Sequence, residues 1–524
     1  MVPVTATRME AVAPSRKRLN KSDTEMRNLS TTVLTPIICL ILAAPGVAFS
    51  AEWSTDSSIT PTATYTDNIC LASDDEQGEW IGLVDSNFRL KAKGRNASFD
   101  LGASLEVNSL SDSKLDDLGC TPSQFGNREQ YAPGLNARAD AVLIDNWVFI
   151  DGAANVGQNS VNSFLPGGGD SLNRTGNTNT FERYTVSPYI SHRFKRFANF
   201  QLRYRFDDEK NSEDAIEDSS TNETSITLAA IPGNAAFSWG LEANHSKIDY
   251  DESPFRSAQE SELESAQVNI GYRLNRQWEV NGFYGEERND FVSSSDEIDG
   301  DFWDVGLRWT PNSRTEVELG TGERFFGSSP RFSISHEYRR STFSAEFERA
   351  LTYNRSIRSA DTDSLFNGDS LVPVDPVSGL PIDFGGNETS NTTSPILDER
   401  LTLRYLYEGR RSTFRIFGSH SDQTRQDIGT EQTFTDASIS YSRRLSRSLR
   451  FNIGARFSER EPNGALEGVF LSDSETLSLD LGLSRTISSN TTISFDYLFE
   501  ERESDSFVNE YTENRFTLSF RLRI

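Results

Sequence analysis

Phe516-Thr517-Leu518-Ser519-Phe520-Arg521-Leu522-Arg523-Ile524 closes the chain, and its alternation decides the fold. Every second residue is apolar, and each residue between is polar or charged. A period of two sends the two sets to opposite faces of a strand. One face then meets an apolar medium and the other meets water. The same pattern stands upstream. Leu477, Leu479, Leu481 and Leu483 alternate with Ser478, Asp480, Gly482 and Ser484. Phe99, Leu101, Ala103, Leu105 and Val107 alternate with Asp100, Gly102, Ser104 and Glu106.

Working outward from these runs, the alternation predicts strands near 57–66, 79–92, 96–107, 132–144, 146–157, 181–194, 198–207, 222–231, 236–247, 264–274 and 277–286. It continues with 302–310, 314–323, 330–339, 342–353, 398–408, 412–421, 433–443, 448–458, 474–485, 491–500 and 513–524. The connections alternate too. Short basic turns such as Lys93-Gly94-Arg95, Lys195-Arg196, Arg339-Arg340 and Gly409-Arg410-Arg411 separate one set of strands. Longer acidic loops separate the other: Asp207, Asp208, Glu209, Glu213, Asp214, Glu217 and Asp218 fall in one, Glu286, Glu287, Asp290, Asp296, Glu297, Asp299 and Asp301 in another. The longest loop spans about 354–397. Short turns inside and long loops outside describe an all-β, transmembrane, antiparallel up-and-down β-barrel of about 22 strands, with roughly 18 to 24 acceptable. An even count puts both ends of the barrel on one side. Trp80, Trp147, Trp278, Tyr353, Tyr405, Tyr407, Tyr497 and Phe499 lie where interfacial girdles would sit, or simply reflect the β-propensity of aromatic rings. The terminal strand resembles the signal read by the barrel-assembly machinery, although Ile524 stands where Phe or Trp is usual.

Composition agrees. Of 524 residues only 35% are hydrophobic, yet 34 are Phe and 15 are Tyr, too many for a disordered chain. The formal net charge of −26 argues against nucleic acid as a partner, because phosphate binding needs a basic surface. A soluble propeller would repeat a blade motif at a fixed period, and none is visible. Outer-membrane lipid and lipopolysaccharide are the expected surroundings, and the bacterial outer membrane the expected location.

From Met26 the chain reads as a cleavable export signal: Arg27 supplies the charge, Val33 to Ala44 the apolar run, and Ala48 and Ser50 the small residues before the cut. Residues 1–50 are therefore the signal region, cleaved near Ser50, with Met26 the suspected initiator. Residues 51–524 form one barrel, with strand one close to the cut and no room for a separate N-terminal plug, so any plug is expected from a loop, with 354–397 the candidate. Cys70 and Cys120 fall in neighbouring outer loops and either pair or remain free thiols.

No catalytic, cofactor or metal site is expected. Ser419-His420-Ser421-Asp422 offers suitable residue types, but adjacent strand residues point to opposite faces. The acidic loops lack the spacing of a calcium loop, and Gly167-Gly168-Gly169 has no phosphate-loop lysine after it. The polar face says more. Parity sends Arg203, Arg205, Arg273, Arg308, Arg404, Arg415, Arg456 and Arg521 inward, together with Asp100, Glu106, Asp304, Glu346, Glu348, Asp480 and Asp496. A charge facing lipid costs ~2–4 kcal/mol at mid-membrane, so these residues belong in a wet lumen. They either guide acidic solutes or hold the barrel by ion pairs across it.

The stretch Ile59-Thr60-Pro61-Thr62-Ala63-Thr64-Tyr65-Thr66-Asp67-Asn68, with Leu71-Ala72 and the turn Lys93-Gly94-Arg95, resembles the first strands of the PEP-CTERM-system-associated outer-membrane proteins. Length and final strand fit that family along nearly the whole mature chain. The resemblance implies a channel or passage component linked to exopolysaccharide export, with exopolysaccharide or its export apparatus as a partner. It names no catalytic residue and no cofactor. A structural surface protein organising extracellular matrix through acidic loops is the alternative. A membrane-embedded hydrolase ranks last, and the chain is read as no enzyme.

Overall fold

The computed structural model describes residues 51–74, 76–111, 131–167, 172, 173, 175–231, 236–254, 256–295, 297–354, 392–463 and 472–524. The signal region, Cys120 and most of the 354–397 loop lie outside these residues. Among the described residues the elements of more than one residue are strands, apart from a 3-10 turn at Phe507–Asn509. They run β1 (Glu52–Thr66), β2 (Glu79–Lys93), β3 (Ala97–Leu110), β4 (Tyr131–Ile144), β5 (Val148–Ser160), β6 (Thr178–Phe194), β7 (Ala198–Asn211) and β8 (Ser219–Ala230). Next come β9 (Phe237–Tyr250), β10 (Gln259–Arg273), β11 (Trp278–Asp290), β12 (Gly300–Asn312), β13 (Thr315–Arg324), the two-residue β14 (Gly327–Ser328), β15 (Arg331–Tyr338) and β16 (Ser341–Thr352). The last are β17 (Ile396–Glu408), β18 (Ser412–Arg425), β19 (Glu431–Arg444), β20 (Leu449–Asn463), β21 (Ser474–Ser488), β22 (Thr491–Ser504) and β23 (Tyr511–Arg523).

Each long strand pairs antiparallel with its neighbours in sequence, and β23 returns to β1 through Thr62↔Ser519 and Thr66↔Arg515. β13 pairs with β15 directly, while β14 folds back on β13 in the connection between them. The wall is thus a closed barrel of 22 strands, the number expected from the alternation. Closure leaves no strand edge unpaired, which lipid demands because it offers no hydrogen bonds. No helix among the described residues is long and apolar enough to cross a membrane; the strands cross it.

The register identifies the two faces. Val268, Tyr284 and Trp303 are lateral neighbours on β10, β11 and β12, and all three are exposed. Leu479, Phe499 and the Leu477–Leu483 series share the equivalent face of β21 and β22. An apolar band of this extent around a whole molecule marks contact with lipid. Rings end the band at the short-turn side, where Trp147 stacks on His192 with centroids 3.8 Å apart and Trp278 on Trp309 at 5.4 Å. At the long-loop side Tyr65 and Trp80 lie 5.2 Å apart. Tyr353 departs from the girdle. It turns inward at the mouth and is buried with Ile248 and Tyr250, against which Leu263 packs.

Strands are longer at their outer ends than the alternation indicated. Beyond the predicted ends at 207 and 286, Asp208 and Glu209 belong to β7, Glu287 and Asp290 to β11, and Asp301 to β12, rather than to loops. Above the lipid the outward residues no longer need to be apolar, so the alternation ends while the backbone ladder continues.

Candidate functional site

The lumen wall is laced with ion pairs. Arg203 on β7 donates to Asp151 on β5 at 2.9 Å and to Ser187 on β6 at 2.7 Å, and its guanidinium lies 3.9 Å from the Tyr189 ring centre. Asp207 accepts from Arg183 Nε at 2.8 Å, from Thr185 at 2.8 Å and from Arg205 at 3.3 Å. Arg308 pairs with Glu316 at 2.6 Å, Arg273 with Glu279 at 3.7 Å, and Asp100 with Arg89 and Lys91 at 3.0 and 3.1 Å. Arg331, which the strand pattern did not single out, bridges Asp304, at 2.7 Å, and Glu318. It lies flat over Gly306 and Gly320, where an added Cβ would stand 2.5 and 2.7 Å from its guanidinium. Glu106 and Arg521 face the lumen beside Asp85 and Thr492.

One sector differs. Among the described residues no carboxylate makes salt-bridge contact with Arg404, Arg415 or Arg456, Glu408 and Asp480 acting on the last two from farther off, and on the lumen face of β16 Glu346 and Glu348 make no such contact either, although Arg400 stands opposite Glu348. Arg404 is opposite Phe417, Phe417 opposite Ser438, and Ser438 opposite Arg456, so β17 to β20 present one lateral row. Arg415 lies two residues below Phe417 on the same face. The Arg404 guanidinium is 5.8 Å from the Phe417 ring centre. Arg444 and Arg450, opposite each other at the short-turn end of β19 and β20, continue the basic surface to the periplasmic rim. Parity alone points to Arg450, which lies within the predicted strand 448–458, and to Arg444, one residue beyond the predicted strand 433–443.

The outer mouth is crossed by chain. The connection from β5 to β6 carries Val161, Phe164 and Leu165, all buried. Asn177 fixes its shape: its side-chain amide donates to the carbonyls of Asn162 at 2.9 Å, Gly167 at 3.1 Å and Leu165 at 3.3 Å. Gly167 takes φ +68°, and a Cβ there would collide with Thr175. From this frame Phe164 reaches Phe434 on the lumen face of β19, ring centres 5.7 Å apart. Its carbonyl accepts from Arg502 on β22 at 2.5 Å. Asn173 meets Glu513 at 3.2 Å and also Arg515, both on β23. In barrel order β19 stands almost opposite β5, so this segment spans the lumen.

Two further contacts help roof the mouth. Tyr353 and Thr393, flanking the long loop, reach β9 and β10 through Tyr250 and Gln259. The Ser294 amide, in the β11–β12 connection, donates to the Gln426 carbonyl at 2.7 Å. The turn holding Gln426 is braced by Arg425 and Asp427, bonded at 3.1 and 2.6 Å. Burial pushes the Asp427 carboxyl up, but the Arg425 guanidinium outweighs burial and holds it below the usual carboxylate range. The loop expected to plug the barrel, 354–397, lies mostly outside the described residues; among the described residues a crossing comes from the β5–β6 connection.

Other candidates are placed as follows. Cys70 is disulfide-bonded, and Cys120 lies outside the described residues. The lumen face holds Ser419 and Ser421, whereas His420 and Asp422 face outward, so the four do not converge on one centre. His336 bonds Thr315 at 2.8 Å. His245 stands on the outer face with Glu262 and Glu264.

No protein-family model matches the chain, and no curated protein does. Solved structures do resemble it. A ferric enterobactin receptor mutant of Pseudomonas aeruginosa in complex with enterobactin matches with a TM-score of 0.51 and 8% identity, over 91% of this chain and 82% of that one. A siderophore receptor of the same species gives 0.47 and 10% over 90% and 80%, and the ferric-catecholate import receptor Fiu of Escherichia coli gives 0.46 and 8% over 90% and 82%. At such identities the likeness is one of fold. Closed barrel, apolar outer band and charged lumen together define a β-barrel of the bacterial outer membrane.

Proposed function

We propose that the barrel is a passage through the outer membrane for acidic glycan, linked to exopolysaccharide export, as the likeness to PEP-CTERM-associated barrels implies, and closed at rest by the segment crossing its mouth. The observation that carries this reading is the sector of β17 to β20. There Arg404, Arg415 and Arg456 stand around Phe417 with no carboxylate in salt-bridge contact among the described residues, Glu408 and Asp480 acting on Arg415 and Arg456 only from farther off, while most lumen arginines elsewhere are paired directly. Guanidinium groups bind carboxylates in a fixed fork, and an aromatic face suits the apolar side of a sugar ring. Several weak sites in a row let a polymer enter and still leave. The basic surface opens toward the periplasm and the roof faces outward, an arrangement suited to export.

The test uses the barrel in liposomes with the β5–β6 connection shortened to open it. An acidic oligouronate should leave the vesicles several-fold faster than a neutral oligosaccharide of equal size, and Arg404→Ser/Arg415→Ser/Arg456→Ser should erase the difference. Equal flux of both sugars through the unsubstituted barrel would refute acidic selectivity. No flux of either, from a folded barrel, would favour a structural surface protein.

A further inference from the structure

Outside the lumen, the outer face of β9 and β10 carries a convergence of side chains that passage does not use. His245 is opposite Glu264 in the register, and Glu262 follows on the same face of β10. The three lie beyond the apolar row formed by Leu241, Val268 and Tyr284, on the extracellular side. His245 Nδ1 is 3.1 Å from Glu264 Oε1 and 3.6 Å from Glu262 Oε1. A hydrogen on Nδ1 serves the nearer oxygen; the farther one is beyond hydrogen-bond reach. The neighbouring cations are engaged elsewhere. Lys247 holds Glu260 at 2.7 Å and Asp249 at 3.5 Å, and Arg288 holds Glu286 at 2.9 Å. Lys247 stands opposite Glu262 and Arg288 opposite Glu264 in the register, but each makes its closest contact with another carboxylate, so both Glu262 and Glu264 close on the one imidazole nitrogen.

We propose that His245, Glu262 and Glu264 form a three-ligand site for a divalent transition metal of the zinc class. Zinc binds nitrogen and carboxylate oxygen at about 2.0–2.2 Å in a tetrahedron, which sets neighbouring ligand atoms roughly 3.3 Å apart. The two distances at Nδ1 bracket that edge. All three ligand atoms lie within 4.8 Å of one another, so one ion reaches them with small side-chain adjustments. One imidazole and two carboxylates neutralise a dication. The nitrogen in the set favours zinc over magnesium or calcium, which want six or more oxygens. Three protein ligands leave one position open toward the medium outside the barrel. Binding would clamp β9 to β10 above the membrane.

The experiment is calorimetric titration of zinc into the full barrel, refolded in detergent micelles and checked by heat-modifiable gel migration. One zinc per barrel is expected. His245→Asn and Glu264→Gln should each weaken binding about tenfold or more, while Glu323→Gln, on the outer face of β13, should leave it unchanged. Cobalt should show the visible bands of a four-coordinate ion, lost in His245→Asn. Absence of stoichiometric zinc binding, equal affinity in His245→Asn, or displacement of zinc by equimolar magnesium would each overturn the proposal.

Discussion

Phe164→Ala should release the segment that crosses the mouth. Phe164 is 2% exposed, and its ring meets Phe434 on the far wall. Emptying a buried phenylalanine site costs about 3–5 kcal/mol in a protein core. The Arg502 bond to the Phe164 carbonyl survives the substitution, so the lower end, about 3 kcal/mol, applies to docking of the segment. At 1.4 kcal/mol per decade, the open population rises about 10²-fold. Native-state hydrogen exchange reads this directly. The reporters are the amides of Phe164 and Asn162, which donate to Asn162 Oδ1 and Asn177 Oδ1 at 2.9 Å each, and of Val161, which donates to the Asn177 carbonyl at 3.2 Å. Their protection should fall about 10²-fold, while amides in the middle of β17 and β18 keep theirs. Unchanged protection at all three would refute the crossing contact. An equal loss throughout the barrel would show that Phe164 supports global stability and not local closure.

Asp207→Ala should destabilise the barrel by about 3–5 kcal/mol, because it breaks a nearly buried ion pair, the Arg183 side chain being only 10% exposed. Urea unfolding in micelles measures it; Asp207→Ala/Arg183→Met should recover most of the loss, and a single-variant cost below about 1 kcal/mol would contradict the buried pair. Acid should loosen the β18–β19 turn. Asp427 is held below its ordinary value of 3.8 when folded, so its stabilisation is complete above that pH and disappears as pH falls through the lower folded value. Protection of the Ser294 amide, corrected for intrinsic exchange, should therefore drop below about pH 3.8. Asp427→Asn should show that lower protection already at neutral pH, and a pH-independent Ser294 amide would exclude the coupling.

How much of this was legible in the sequence depended on whether lipid did the selecting. β21 and β23 were plain, because lipid forces Leu477 to Leu483 and Phe516 to Leu522 to alternate with polar residues. The outer ends were not, since no such force acts above the membrane, and Glu209 read as a loop acid although it sits on a strand facing the lumen. Parity assigned Arg203, Arg308 and Arg404 to one face, but only register tells that the first two find carboxylates and the third a phenyl ring. The roof left a trace. Val161, Phe164 and Leu165 are apolar within a polar connection, and Phe434 is apolar at a polar parity on β19. Pairing the two ends needs the closed barrel, because their partners are hundreds of residues apart in the chain.

Single-channel conductance in planar bilayers tests the gated passage most directly. The full barrel should stay closed at rest, and a variant with residues 162–176 replaced by a short Gly-Ser turn should open in large, anion-selective steps. Large resting steps from the full barrel, or silence from the trimmed one with its fold confirmed by heat-modifiable migration, would contradict the account.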